Sequence, residues 1–426
     1  MSAQLFQSAA SFATGVLIAR GLGPALQGQY AFVVATVATS VVVTSLGQFE
    51  GNVLSTAGSR ASGRTLLARA LLHAAAVLCL GAGVLVPVER HLRGQPGHDV
   101  AVLLVALITL ETAAQLVRGI NLGQHHVTSY NVATLVQRGL LLSGVLVLTL
   151  TQRLHLPLVL EVWGVATASS VAVSAIWIWR RSPAAAFGVR TALQGWQASV
   201  GRGFRALVAI TATLALLRLD YWMLAPMLGS SAVGQVSVAT ALAEWMWYVP
   251  TILGSILFAL VAADRSDVVI GKVARASRAV VAGVVPAAIV LVLTGRYLVP
   301  AVYGQVYRQA GTIFVILVPG VAAIAVHLVV DSYFAGCGFP LVSWAGALGA
   351  LGIKFLLNLL LVPLAGVLGA AAATSVAYGF LLSLKVLRLR AERHVRVGDL
   401  LLPRMQDARD GLVAVRAWLG QRALED

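Results

Sequence analysis

The chain has 426 residues, of which 59% are hydrophobic and only 11% charged, and its mean hydropathy is +0.87. Soluble domains carry roughly 25% charged residues, so a soluble globular protein is excluded, and recurrent apolar runs of about 20 residues mark an all-α polytopic membrane protein. The net charge of +15 would suit nucleic acid, but no basic tract is interleaved with aromatics, and topology-setting Arg and Lys in cytoplasmic loops account for it.

In chain order, the apolar windows and their Gly/Pro punctuation predict twelve transmembrane helices. They lie at roughly 4–21, 29–54, 67–87, 100–120, 131–150, 157–179, 205–228, 231–261, 279–299, 309–335, 339–361 and 366–387. The N-terminus lacks the basic region and small-residue cleavage site of a signal peptide, so the first run is expected to be retained. With that end cytoplasmic, the inside segments collect Arg60, Arg64 and Arg69, then Arg180, Arg181, Arg190, Arg202 and Arg205. Arg265, Lys272, Arg275 and Arg278 follow in the next inside loop, and Lys385, Arg388, Arg390, Arg393 and Arg396 open the tail. Outside segments carry scattered singles such as Arg20, Arg153, Arg296 and Arg308, with Arg90 and Arg93 beside Glu89 and Asp99. This positive-inside bias agrees with twelve spans and both termini inside. Cys79 and Cys337 sit in or beside apolar runs with no metal-like spacing, and read as packing residues.

A short pattern repeats across the chain. Leu22-Gly23…Gly28-Gln29 returns as Leu228-Gly229…Gly234-Gln235, 206 residues later, each time between the first two helices of a half. The expected organisation is therefore a six-helix lobe at 1–180, a basic cytoplasmic connector at 181–204, a second six-helix lobe at 205–387 and a cytoplasmic tail at 388–426. Six is even, so the lobes are parallel repeats, pseudo-symmetric about the membrane normal. GLGPALQG has three glycines but not the spacing of a dinucleotide loop, and reads as a tight extracytoplasmic turn with Gly23 and Gly28 allowing close helix approach. In the tail, Leu412, Val415 and Leu419 share a helical face with Trp418 beside them, which fits an amphipathic helix on the headgroups or a loosely ordered tail.

The stretch ARGLGPALQGQYAF (19–32) resembles the first-turn signature of the polysaccharide-transporter family, which holds the O-antigen and exopolysaccharide-repeat flippases of the multidrug/oligosaccharidyl-lipid/polysaccharide exporter (MOP) superfamily. LRLDYWMLAPMLGSSAVGQVSVATALAE (217–244) resembles the start of that family's second lobe, and YGQVYRQAGTIFVILVPG (303–320) and NLLLVPLAGVLGAAAATSVAYG (358–379) resemble later segments. These are packing and turn patterns rather than catalytic motifs. The resemblance implies two six-helix bundles around a central cavity with alternating access, no cofactor, and a place in the bacterial inner (plasma) membrane. It implies as substrate a polyprenyl-pyrophosphate-linked oligosaccharide, H+ or Na+ as a coupling ion, and polysaccharide polymerase or glycosyltransferase proteins as partners. The tail and the Ala/Arg-rich composition depart from the family pattern.

Charge inside a bilayer costs roughly 2.5–3.5 kcal/mol per residue at a helix centre, so intramembrane ionisable residues are the site candidates. Glu111, Gln115 and Arg118 follow i, i+4, i+7 spacing and form one polar stripe, lumen-facing unless Arg118 snorkels to the interface. Arg138 lies in the inner third of its helix, where cavity and snorkelling readings balance. Arg218 and Asp220 are two apart, about 200° around a regular helix, so they are expected to meet different surroundings. Arg218 is the first candidate for a phosphate, which its planar fork matches. Glu244, Trp247, Tyr248 and Thr251 are placed on one face, an acid beside two aromatics that could stack on sugars or simply pack the core. Lys354 and Asn358 form an i, i+4 pair, with Lys354 expected to face the cavity because no acid is near it in sequence. Asp331 and Glu50, near cytoplasmic ends, are explained by interface solvation.

Together, Arg218, Lys354, Arg118 and Arg138 would line a cationic cavity, with Asp220, Glu111 and Glu244 as coupling acids. No P-loop, H-E-x-x-H or G-x-S-x-G motif is present, and His125-His126 reads as polar loop rather than metal site, so no enzyme is expected. The rival readings are a multidrug or metabolite exporter of the same superfamily, and a non-transporting scaffold of a polysaccharide-synthesis complex.

Overall fold

A computed structural model describes residues 2–49, 63–93, 100–124, 126–182, 189–264 and 266–404, all of them in helices, turns or short connections. Glu50, Arg60, His125, Arg265 and the expected tail helix at Leu412–Leu419 lie outside the described residues. The chain divides into two compact units, Met1–Leu214 and Ala215–Asp426, here the N-lobe and the C-lobe.

The first helix, α1 (Ser2–Ser45), contains two of the expected spans. At 1.5 Å per residue its 44 residues would reach about 66 Å, twice the hydrocarbon thickness. It breaks at Gly23, with φ 72° and ψ 173°, and Pro24 begins the return segment. The N-lobe continues through α2 (Gly63–Arg93), α3 (Val100–Gly123), α4 (Val127–Leu150) and α5 (Leu156–Arg181). Helix α6 (Val189–Leu228) follows, then α7 (Ser230–Ala243), a 3-10 turn (Glu244–Trp247), α8 (Tyr248–Ala263) and α9 (Asp267–Tyr303). A second 3-10 turn leads to α10 (Arg308–Gly336), α11 (Leu341–Ala365), α12 (Val367–Arg393) and the five-residue α13 (Val397–Leu401).

Among the described residues, eleven helical segments are long and apolar enough to cross a membrane. Counting the bent first helix as two gives the twelve expected crossings. Boundaries differ where polar residues continue a helix past its apolar run. The connector read as a loop at 181–204 is helical from Val189, because Val189, Leu193, Trp196 and Val200 recur at helical spacing. Conversely, α1 ends at Ser45, where Leu46 and Gly47 take positive φ, before helical backbone resumes at Gln48 and Phe49; the rest of the span drawn to residue 54 lies outside the described residues.

The repeated Leu-Gly behaves alike in both lobes. Gly229 has φ 81° and ψ 172°, nearly the values at Gly23. That corner of backbone space is essentially open to glycine alone. A Cβ would meet nothing within 4 Å at either position, so the requirement is conformational rather than steric. The expectation that Gly23 serves close helix approach is thus corrected. The repeated Gln diverges: Gln29 is exposed, whereas buried Gln235 donates to the Val306 carbonyl (2.8 Å) and accepts from the Ala310 N–H (3.0 Å), satisfying the start of α10.

Each lobe has one helix more buried than its neighbours, α3 in the first and α10 in the second. Helix α10 is apolar on most of its faces between Thr312 and Val326 and is the most buried span of its lobe. Its Gly320 lets α12 close in, since a Cβ there would sit 2.4 Å from Ser375 Cα. In the N-lobe the central helix itself carries Glu111 and Arg118, whereas in the C-lobe most of the ionisable groups lie on the helices packed around α10.

Candidate functional site

In the N-lobe, Glu111, Gln115 and Arg118 are the only residues of 111–120 that are not buried. The expected stripe is therefore the open face of α3. Three donors converge on Glu111 Oε1: Trp163 Nε1 (2.7 Å) and Thr167 Oγ1 (2.7 Å) from α5, and Gln137 Nε2 (2.8 Å) from α4. Arg118 donates to Gln137 Oε1 at 2.8 Å, while its own approach to Glu111 is 3.6 Å. Gln137 thus relays between the two charges, accepting from the cation and donating to the anion. The pair is partly open, with side-chain exposures of 18% and 15%. Arg138, next along α4, is exposed and takes no part in this network.

A histidine cluster lies on the same lobe. His73 Nε2 is 2.7 Å from the Thr44 carbonyl and its Nδ1 is 2.9 Å from Gln48 Nε2. The Thr44 carbonyl can only accept, so His73 Nε2 carries a proton and donates to it.

In the C-lobe, Arg218 and Asp220 do meet different partners. Arg218 turns to Glu244, Nη1 to Oε1 at 2.8 Å and Nη2 to Oε2 at 3.4 Å, a two-point fork with both side chains 21% exposed. Asp220 turns inward and receives three contacts. Lys354 Nζ (2.8 Å) and Thr374 Oγ1 (2.8 Å) reach Oδ2, Asn358 Nδ2 reaches Oδ1 at 2.9 Å, and Lys354 also donates to the Leu216 carbonyl at 2.8 Å. Lys354 and Asn358 have no exposure, and Tyr378 stands over the ammonium at 5.7 Å. Lys354, expected to face a cavity, is instead sealed in the lobe. Its acid was invisible in sequence because it lies on α6, more than a hundred residues earlier.

The 3-10 turn reshapes the acid-and-aromatic face. It breaks the helical period between Glu244 and Tyr248, so the ring pair is Trp245 with Tyr248 (centroids 6.1 Å apart) rather than Trp247 with Tyr248. Trp247 packs against the apolar core of the lobe, while Trp245 is 43% exposed.

A further pair escaped the sequence reading. Lys385, assigned to the basic opening of the tail, is 1% exposed and bonds Asp331 Oδ1 at 2.6 Å and Ser343 Oγ at 2.9 Å. Asp331 is therefore held by an internal cation rather than by interface solvation alone. Leu384, Val386 and Leu387 around Lys385 were the available signal. Among the described residues no group of three His, Cys, Asp or Glu could hold a metal.

No family model and no curated protein sequence matches the chain. Solved structures do. A lipid II flippase MurJ in an inward closed conformation superposes with a TM-score of 0.69 at 11% identity, covering 94% of this chain and 88% of that one. A Vibrio cholerae MATE transporter gives 0.63 at 13% identity, covering 92% and 95%. A MOP superfamily transporter from Pyrococcus furiosus gives 0.61 at 13%, covering 92% of each. The chain thus has the two-lobed, all-helical fold of the MOP superfamily transporters along nearly its whole length.

Proposed function

We propose that this protein is a multi-pass membrane transporter that moves an anionic lipid-linked oligosaccharide, of the polyprenyl-pyrophosphate class, across the bacterial inner membrane by alternating access. The observation that carries this reading is the Arg218–Glu244 fork. It is partly open, and a phosphate presents oxygens at the spacing the two carboxylate oxygens now occupy. Arg118, half-open and held at one remove from Glu111 through Gln137, offers the same chemistry in the other lobe. Substrate phosphate would displace the carboxylate, and the released Glu244 or Glu111 would then take H+ or Na+. Lys354 and Asp220, being sealed, would hold α6 against α11 rather than touch substrate. Trp245, exposed beside Tyr248, would supply the sugar-stacking face first assigned to Trp247. An inside-negative potential favours outward movement of an anion by about 2.3 kcal/mol per charge per 100 mV.

A specific observation supports a second reading, export of a cationic or neutral drug. Arg118 and Arg218, the two partly open cations of these networks, each have a carboxylate partner, so the networks are charge-balanced rather than cationic. The discriminating experiment uses full-length protein in proteoliposomes. Translocation of a fluorescent polyprenyl-pyrophosphate sugar, lost in Arg218→Ala, supports the flippase reading. Transport of a cationic dye with no movement of that lipid overturns it.

A further inference from the structure

A second basic feature lies away from these networks, at the end of the C-lobe that the charge bias assigns to the cytoplasm. Helix α12 stops at His394, which takes left-handed φ 54°, ψ 21°, and the chain folds back into α13. Leu400, with no exposure, joins the apolar cluster of Val269, Ile270 and Val273 and pins this strap against the first turns of α9. Arg278 donates to the Asp399 carbonyl at 2.5 Å, and Arg404 pairs with the Asp399 carboxylate. Between strap and helix is a cavity of about 600 Å³, within the size range of small-ligand sites.

The lining of that cavity is cationic. Lys272, Arg275 and Arg278 contribute from successive turns of α9, and Arg393 and Arg404 from the chain around the strap. Two acids, Asp267 and Asp399, oppose them, and Asp399 is already engaged by Arg404. Apolar side chains share the lining: Val268, Ile270 and Val395 border the cavity, and Val268 is 70% exposed at its edge. A soluble anion needs no such apolar edge. A phosphate that carries acyl chains does, because the headgroup enters the hollow while the chains lie over the apolar side chains.

We propose that this cavity binds the phosphate headgroup of an anionic phospholipid from the adjoining leaflet. Guanidinium forks suit phosphate oxygens, and basic hollows on the cytoplasmic side of helix bundles take anionic lipid heads. The site does not depend on the transport reading, and its test does not measure transport.

The test measures binding of fluorescent phosphatidylglycerol to the full-length protein in neutral detergent, with phosphatidylcholine as the comparison lipid. Wild type should prefer phosphatidylglycerol. The double variant Lys272→Gln/Arg275→Gln should bind it roughly 25-fold more weakly, the factor for about 2 kcal/mol at 1.4 kcal/mol per tenfold. Arg388→Gln/Arg390→Gln removes the same charge outside the cavity and should change affinity by less than about twofold. Val268→Asn, at an exposed position that folding tolerates, should weaken phosphatidylglycerol as well, which guards against a double variant that fails to fold. Equal binding of the two lipids, an unchanged double variant, or an equal loss in the Arg388/Arg390 control would overturn the proposal. Displacement of the lipid by millimolar inorganic phosphate, with Val268→Asn unchanged, would assign the hollow to free anions and overturn it too.

Discussion

The sealed pair Lys354–Asp220 allows a sharp energetic test. Asp220 is an acceptor only, and it receives Lys354, Thr374 and Asn358. Lys354 places two of its donors on Asp220 and the Leu216 carbonyl, with Tyr378 above. Neither charge has water to fall back on, since their side chains are 0% and 6% exposed. Removing one partner of such a pair strands the other and costs about 3–5 kcal/mol, whereas replacing both with apolar groups of similar volume is often neutral. Lys354→Met should therefore lower the thermal midpoint in detergent by on the order of 10 °C, using the scaling for domains of 150–250 residues. Asp220→Leu should do likewise, since it strands the ammonium and also leaves the Asn358 and Thr374 donors without their acceptor. The double variant should be markedly more stable than the two losses added together, with a coupling of at least about 1.5 kcal/mol. The double still abandons Asn358 and Thr374, so full recovery is not expected. Midpoints in which both singles lie within about 2 °C of wild type, or in which the losses simply add, would refute the view that this pair is a desolvated structural tie.

Three other outcomes follow from the geometry. Gly23→Ala and Gly229→Ala each force an L-residue into a glycine-only conformation, and should each cost about 1–3 kcal/mol in thermal melts although space is open around both Cβ positions. Gln235→Ala leaves the buried Ala310 N–H unpaired, along with the part-buried Val306 carbonyl, and should cost about 1–3 kcal/mol, while Gln29→Ala, at its exposed repeat mate, should stay within about 0.5 kcal/mol by the same melts. On the proposed function, Arg218→Lys keeps the charge but loses the fork, so affinity for the pyrophosphate lipid in proteoliposomes should drop roughly tenfold or more; unchanged affinity would remove Arg218 from the substrate site.

What was legible in the sequence and what was not follows from the range of the forces involved. Span number, the bend at Gly23 and the stripe Glu111–Gln115–Arg118 are local or periodic properties, and a helix displays them whatever packs beside it. The partners are not local. Thr374 reaches Asp220 across 154 residues and Gln137 reaches Glu111 across 26, and both are neutral side chains that a search for costly charges passes over. Lys354 shows the consequence. Read alone, a lysine in a long apolar run implies water beside it, because that is the cheapest way to keep the charge. The fold supplies another way, a carboxylate from α6 with a carbonyl and a ring, and with that the need for a cavity disappears. The same logic separates the four carboxylate pairs. Those with no escape to water, Lys354–Asp220 and the buried end of Lys385–Asp331, can only be structural ties unless the lobe opens. On the proposed function, anion exchange would be confined to the two partly open pairs, the Arg218–Glu244 fork and the Gln137-linked Arg118–Glu111 pair, whose side chains are 15–21% exposed.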